Sequence, residues 1–158
     1  MRVAVPVALA VGALLISCGS EPKPAPAKAP ERVEAPKPAD ESRRFPMANQ
    51  LKTEVIGKEL MGKPFMPGGT LAHYRKGKAE YSMFVAKLPT ATDAALLLLN
   101  WSKALTGARL IPSFGGYFGQ DTAGPVFVFS KGTWIAGVSG LPEKEADLQA
   151  RALAAHLD

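Results

Sequence analysis

With 158 residues, 47% of them hydrophobic, and a single cysteine, the chain has material for one small domain whose core must hold without an internal disulfide or a thiolate metal site. The formal charge of +5 is thinly spread. Residues 45–158 carry 12 Lys+Arg against 9 Asp+Glu, in no stripe of the kind that nucleic acid requires, so no nucleic-acid partner is expected.

In chain order, Met1 and Arg2 precede an apolar or small run from Val3 to Ile16, broken at Pro6, and a polar boundary follows at Gly19-Ser20. A charged start, a short apolar stretch and the small residue Ser17 make the pattern of a secretory signal. A spanning helix needs about 20 apolar residues, which leaves an uncleaved anchor as the weaker alternative. The run closes on Leu15-Ile16-Ser17-Cys18, which resembles the lipobox of a bacterial lipoprotein. A plain signal peptide, the other alternative, favours a small residue where Leu15 stands. The resemblance implies cleavage between Ser17 and Cys18, making residues 1–17 the signal, and lipidation of Cys18. A thiolate is nucleophilic enough to take a diacylglycerol group as a thioether, and the freed amine is then acylated. One acyl chain, at about 0.8 kcal/mol per buried CH₂, holds a membrane only reversibly, whereas two or three anchor stably. Gly19 stands where lipoprotein sorting in Gram-negative bacteria reads an aspartate as an inner-membrane signal. The expected location is therefore the cell envelope, on the outer membrane facing the periplasm if the host is Gram-negative.

Residues 18–44 form a tether in this reading. Glu21-Pro22-Lys23-Pro24-Ala25-Pro26-Ala27-Lys28-Ala29-Pro30 continues through Pro36 and Pro38 with mixed charge and no aromatic. Such a composition buries too little surface to offset chain entropy, and proline stiffens it toward polyproline II, at about 3.1 Å per residue. An inert spacer is the plain reading; a proline-rich ligand or a thread through peptidoglycan are the others.

A single domain is expected from Phe45 to Asp158. Leu51–Ile56 alternates weakly as a strand, and residues 57–69 read as a loop rich in Gly, Pro and Met. Thr70–Tyr74 and Ala79–Leu88 form a hairpin about Arg75-Lys76-Gly77-Lys78. Thr90 caps a helix, with Asp93 three residues on, and Ala94, Leu97, Leu98, Trp101 and Leu105 form its apolar stripe up to Gly107. Short strands follow at 108–111, 115–119, 125–129 and 133–138. Pro142 opens a last helix at its first position, with Glu143 and Glu145 at the positive end and Ala146, Ala150, Leu153 and Leu157 facing inward.

The expected fold is α+β, an antiparallel sheet of five to seven strands with two helices on one face. Tyr74-Arg75-Lys76-Gly77 to Leu88-Pro89 and Phe129-Ser130-Lys131-Gly132 to Leu141-Pro142 rhyme, each a hairpin strand followed by a helix. They suggest a duplicated hairpin-helix unit, although turns select Gly and helix starts select Pro in any case.

Gly68-Gly69-Thr70 through Phe84-Val85-Ala86, Gly115-Gly116-Tyr117-Phe118-Gly119, Gly124-Pro125-Val126-Phe127 and Ala136-Gly137-Val138-Ser139-Gly140-Leu141-Pro142 resemble an uncharacterised domain of exported bacterial proteins and lipoproteins. The likeness spans about residues 45 to 157 and rests on structural glycines and aromatics. It implies an envelope protein and hands over no catalytic residue.

The reactive inventory is sparse. His73 and His156 are the only imidazoles, neither in a metal-ligand spacing; His73 reads as a sheet-face residue and His156 as a helix-end cation. Ser82, Ser102, Ser113, Ser130 and Ser139 lack a nucleophile elbow. Met47, Met61 and Met66 with His73 are soft copper ligands, yet thioethers commonly fill core gaps, and no metal or cofactor is expected. Arg75, Lys76 and Lys78 at the hairpin tip suit anionic head groups or cell-wall polymer, or simply solvent. Phe114, Gly116, Tyr117 and Phe118 are the expected contact surface, since glycines permit close approach and aromatics supply area; a glycine-bent strand with core aromatics is the alternative. The resulting expectation is a non-catalytic interaction or assembly module, held to the membrane through Cys18, with an envelope protein or the cell wall as partner. The alternative is a carrier of a small apolar or lipid ligand in a cavity lined by Leu97, Trp101, Phe127 and Trp134.

Overall fold

The computed structural model describes residues 37–158, so the expected signal segment, Ser17, Cys18 and the expected tether through Pro36 lie outside the described residues. The elements in chain order are β1 (Gln50–Lys58), β2 (Pro67–Lys76), β3 (Ala79–Lys87), α1 (Ala91–Ala104), β4 (Thr106–Ile111), β5 (Gly116–Asp121), β6 (Gly124–Lys131), β7 (Trp134–Ser139) and α2 (Glu143–Ala154). The strands make one sheet in the order β1-β2-β3-β7-β6-β5-β4, with every neighbouring pair antiparallel. The protein is α+β, with a seven-stranded antiparallel sheet and two helices.

Local chemistry explains most boundaries. Gly77 and Gly132 take left-handed φ of 62° and 54° at the two hairpin tips, where a side chain would be strained. Thr90 Oγ1 accepts the Asp93 N–H at 3.1 Å, the expected cap of α1. Residues 67–69, expected to be loop, extend β2 instead. Glycine permits this: a Cβ at Gly68 would stand 2.3 Å from the Gly57 carbonyl oxygen, and one at Gly69 2.3 Å from that of Val85. Gly107, expected to close α1, already lies in β4; the Leu105 N–H closes the helix on the Trp101 carbonyl. Pro142 precedes the first turn of α2 as its N-cap rather than opening it.

The two helices lie on opposite faces, not on one. Strand side chains alternate, and the packing follows that period. Phe84, Val126, Val128 and Ile135 join Leu98 and Trp101 of α1 and Leu105 at its C-terminal cap. Met83, Val85, Phe127, Phe129, Ala136 and Val138 join Ala146, Ala150 and Leu153 of α2. Both helices pack on β6 and β7, whose unbroken apolar runs Val126–Phe129 and Trp134–Val138 are what a strand buried on both sides requires.

Opposite faces also dissolve the duplication. A half-turn about an axis perpendicular to the sheet, between β3 and β7, carries β2–β3 onto β6–β7 but keeps each helix on its own face. The strand pairs correspond; the hairpin-helix units do not superpose.

Residues that precede Phe45, the expected start of the domain, also dock on it. Ser42–Arg44 form a 3-10 turn, the Glu41 N–H donates to Thr70 Oγ1 at 3.0 Å, and Arg44 donates to the His156 carbonyl at 3.0 Å with its guanidinium 4.4 Å above Trp134. Phe45 is buried in the α2-side core. Residues 41–45 thus pack on the α2 side of the sheet. Among the described residues no helix is long and apolar enough to cross a membrane.

Candidate functional site

Because α1 packs on β4 to β7 and reaches only Phe84 and Ala86 of β3, the same face of β1 and β2 has no α-helix over it. Leu60, Met61, Phe65 and Met66, from the β1–β2 connection, cover part of it. The remainder opens into a groove of about 610 Å³, within the size range of small-molecule and peptide sites, lined among others by Leu51, Met61, Leu71, His73, Ser82 and Ser139. Glu59 and Met61 both take left-handed φ, at 54° and 60°. A non-glycine residue resists that conformation, and this strain turns the connection toward the groove.

Register assembles the polar centre. His73 lies opposite Ser82, which lies opposite Ser139, while Lys52 faces His73 from β1. The His73 Nε2–H donates to Glu54 Oε1 at 2.5 Å, and the Ser82 hydroxyl donates to His73 Nδ1 at 3.2 Å; the tautomer protonated at Nε2 satisfies both contacts. Lys52 Nζ stands 3.4 Å from the same Glu54 oxygen. The His73 hydrogen bond, and then the Lys52 charge, hold the Glu54 carboxyl below its ordinary range. A carboxyl depressed on folding contributes stability that is present above the unfolded value of 4.5 and lost as pH falls through the folded value. Thermal melts of the wild type and Glu54→Gln should therefore differ at neutral pH, with the wild type higher, and converge below that value. A gap that persists or widens in acid would contradict the contact.

Carboxylate, imidazole and hydroxyl in line are the parts of a nucleophilic relay. Acyl transfer also needs N–H donors aimed at a developing oxyanion. Ser82 sits inside the sheet between β2 and β7, where the neighbouring amides are engaged in the ladder. What this centre offers a ligand is the Ser82 hydroxyl, held by His73, and the neighbouring Ser139 hydroxyl, flanked by the apolar Leu51, Met61 and Leu71 and by the charged Lys52, Arg75 and Glu80.

The residues singled out in the sequence are dispersed. Tyr117 packs toward the α1-side core and Phe118 toward the α2-side core, because adjacent strand residues face opposite ways. Phe114 lies against Phe127 and Phe129, with ring centroids at 5.6 and 4.8 Å, and Arg151 stands 5.0 Å above it. A Cβ at Gly116 would be 2.6 Å from the Val128 carbonyl oxygen. Phe114, Gly116 and Phe118 thus face the α2 side and Tyr117 the α1 side, so the four do not present one common face. Leu97 and Trp101 lie on the opposite side of the sheet from Phe127 and Trp134, so these four line no common cavity. Met66 Sδ accepts the Trp101 Nε1–H at 3.2 Å and Met47 is exposed, which separates them from His73 as ligands. Among the described residues no group of three or more His, Cys, Asp or Glu is placed to hold a metal. At the hairpin tip Arg75 pairs with Glu80, and Lys76 and Lys78 are exposed.

No family model, curated protein or solved structure matches this chain. Its function is therefore argued from its own geometry.

Proposed function

We propose that the chain is an envelope lipoprotein whose domain is a non-catalytic interaction module, capturing an envelope partner in the groove over β1 to β3. One observation carries the binding part: beyond the reach of α1, the β1–β2 end of one sheet face opens into a groove that combines the apolar Leu51, Met61 and Leu71 with the paired His73 and Ser82 and the charged Lys52, Arg75 and Glu80. The address rests on Leu15-Ile16-Ser17-Cys18, with a proline-rich tether behind it. Two or three acyl chains on Cys18 hold the module at the membrane, and the tether gives the domain reach. The carrier alternative loses its support with the proposed cavity, whose four residues are divided by the sheet.

Pull-down of the tagged full chain from crosslinked envelopes tests the whole reading. A protein partner is expected with the wild type, and its loss with Ser82→Arg, which fills the groove. In Cys18→Ala the precursor should escape lipid processing, and globomycin should make the wild-type precursor accumulate. Recovery of lipid without protein favours a carrier, and normal processing of Cys18→Ala removes the anchor.

A further inference from the structure

We infer that a second copy of this chain extends the sheet through β1, around a two-fold axis at Ile56. The pairing needs no occupant in the groove and rests on the proposed membrane anchor only for the shared orientation of the two copies. The sheet ends at β1 on one side and β4 on the other. The β4 edge is interrupted by a register shift between Thr106 and Arg109, with Gly107 at a φ of 64°. That irregularity protects an edge against pairing. From Lys52 to Lys58, by contrast, β1 runs in regular register with β2, and among the described residues no backbone bond reaches the outer side of Glu54–Lys58. Val55 on this strand is 42% exposed.

Symmetry then selects the register. Two antiparallel copies related by an axis perpendicular to the sheet keep their faces, so a residue meets only one of its own parity and the axis passes through a residue and its copy. An axis at Glu54 sets that carboxylate against itself, and one at Val55 sets Lys52 against Lys58. An axis at Thr53 forces the irregularity between Gln50 and Lys52 into the new ladder. An axis at Ile56 places isoleucine on isoleucine, Val55 opposite Gly57, and Glu54 opposite Lys58 twice over, all within the regular stretch. The two contacts that Glu54 makes at home both fall on Oε1, which leaves Oε2 for the lysine of the second copy. The same rotation keeps both chain entries, docked by Glu41 and Phe45 on the α2 side, on one side of the joined sheet. Two copies anchored in one membrane need that arrangement, and anchoring raises their effective concentration. The two grooves then lie side by side on the other face.

The test uses the full chain in its native membranes. After mild oxidation, Ile56→Cys should give a disulfide-linked dimer on non-reducing gels, while the wild type and Thr53→Cys should not. Adding Lys58→Glu to Ile56→Cys should cut the dimer about tenfold by setting like charges opposite each other in both pairs, and Glu54→Lys together with Lys58→Glu should restore it. No dimer from Ile56→Cys, a dimer from Thr53→Cys alone, or a dimer indifferent to the charge exchange overturns the inference.

Discussion

Trp101→Ala is expected to lower stability by about 3–5 kcal/mol, as removal of a buried tryptophan generally does. For a domain of this size that is a fall in Tm on the order of 10–20 °C in a thermal melt. The side chain is fully buried, stacks on Phe84 at 5.6 Å, meets the Phe65 ring edge-on at 5.7 Å and donates its Nε1–H to Met66 Sδ. It joins α1 both to the sheet centre and to the β1–β2 connection that walls the groove. The loss should therefore loosen the groove as well as the core. Trp101→Phe keeps most of the area, forfeits the sulfur contact, and should cost less than half as much. A loss below about 1 kcal/mol for the alanine variant would mean that the α1 side is not packed as described.

Gly137→Ala should be the most damaging of the single-methyl additions in the central strands, at about 2–3 kcal/mol, the upper part of the usual range for overpacking. Its backbone angles suit any residue; the constraint is space. An added Cβ would stand 2.5 Å from the Phe127 carbonyl oxygen and 2.5 Å from Phe84 Cζ. The first belongs to the ladder, and the ring is held by Trp101, so neither yields cheaply. Gly57→Ala is the matched control, since a Cβ there meets nothing within 4 Å. It should be neutral or stabilising by a few tenths of a kcal/mol through the unfolded chain. Denaturant midpoints of the two variants compare them directly, and similar values would contradict the packing at Gly137.

Much of the architecture was legible in the residues, and the failures share a cause. Thr90 and Asp93 marked the start of α1, and Gly77 and Gly132 marked the hairpin tips, because caps and tight turns are local chemistry. The apolar runs at Val126–Phe129 and Trp134–Val138 carry the signature of strands buried on both faces, which calls for a helix on each face rather than two on one. Tyr117 and Phe118 are adjacent in sequence, but neighbouring strand residues point apart, so adjacency alone does not make a surface. The groove was the least legible part. Glu54, His73, Ser82 and Ser139 come from four strands and meet only through pairing registers, which no single strand encodes. The alternation of His73 with Tyr74 places it on a sheet face, but whether that part of the face is covered depends on where α1 lands.

The most direct measurement of the central claim is photocrosslinking in living cells, with benzoylphenylalanine in place of Ser82 on the groove floor and, separately, in place of Leu148, which is 65% exposed on α2 across the sheet. The account predicts a discrete adduct to another envelope protein from the Ser82 position and none from Leu148. Adducts to lipid alone, no adduct, or the same adduct from both positions would contradict it.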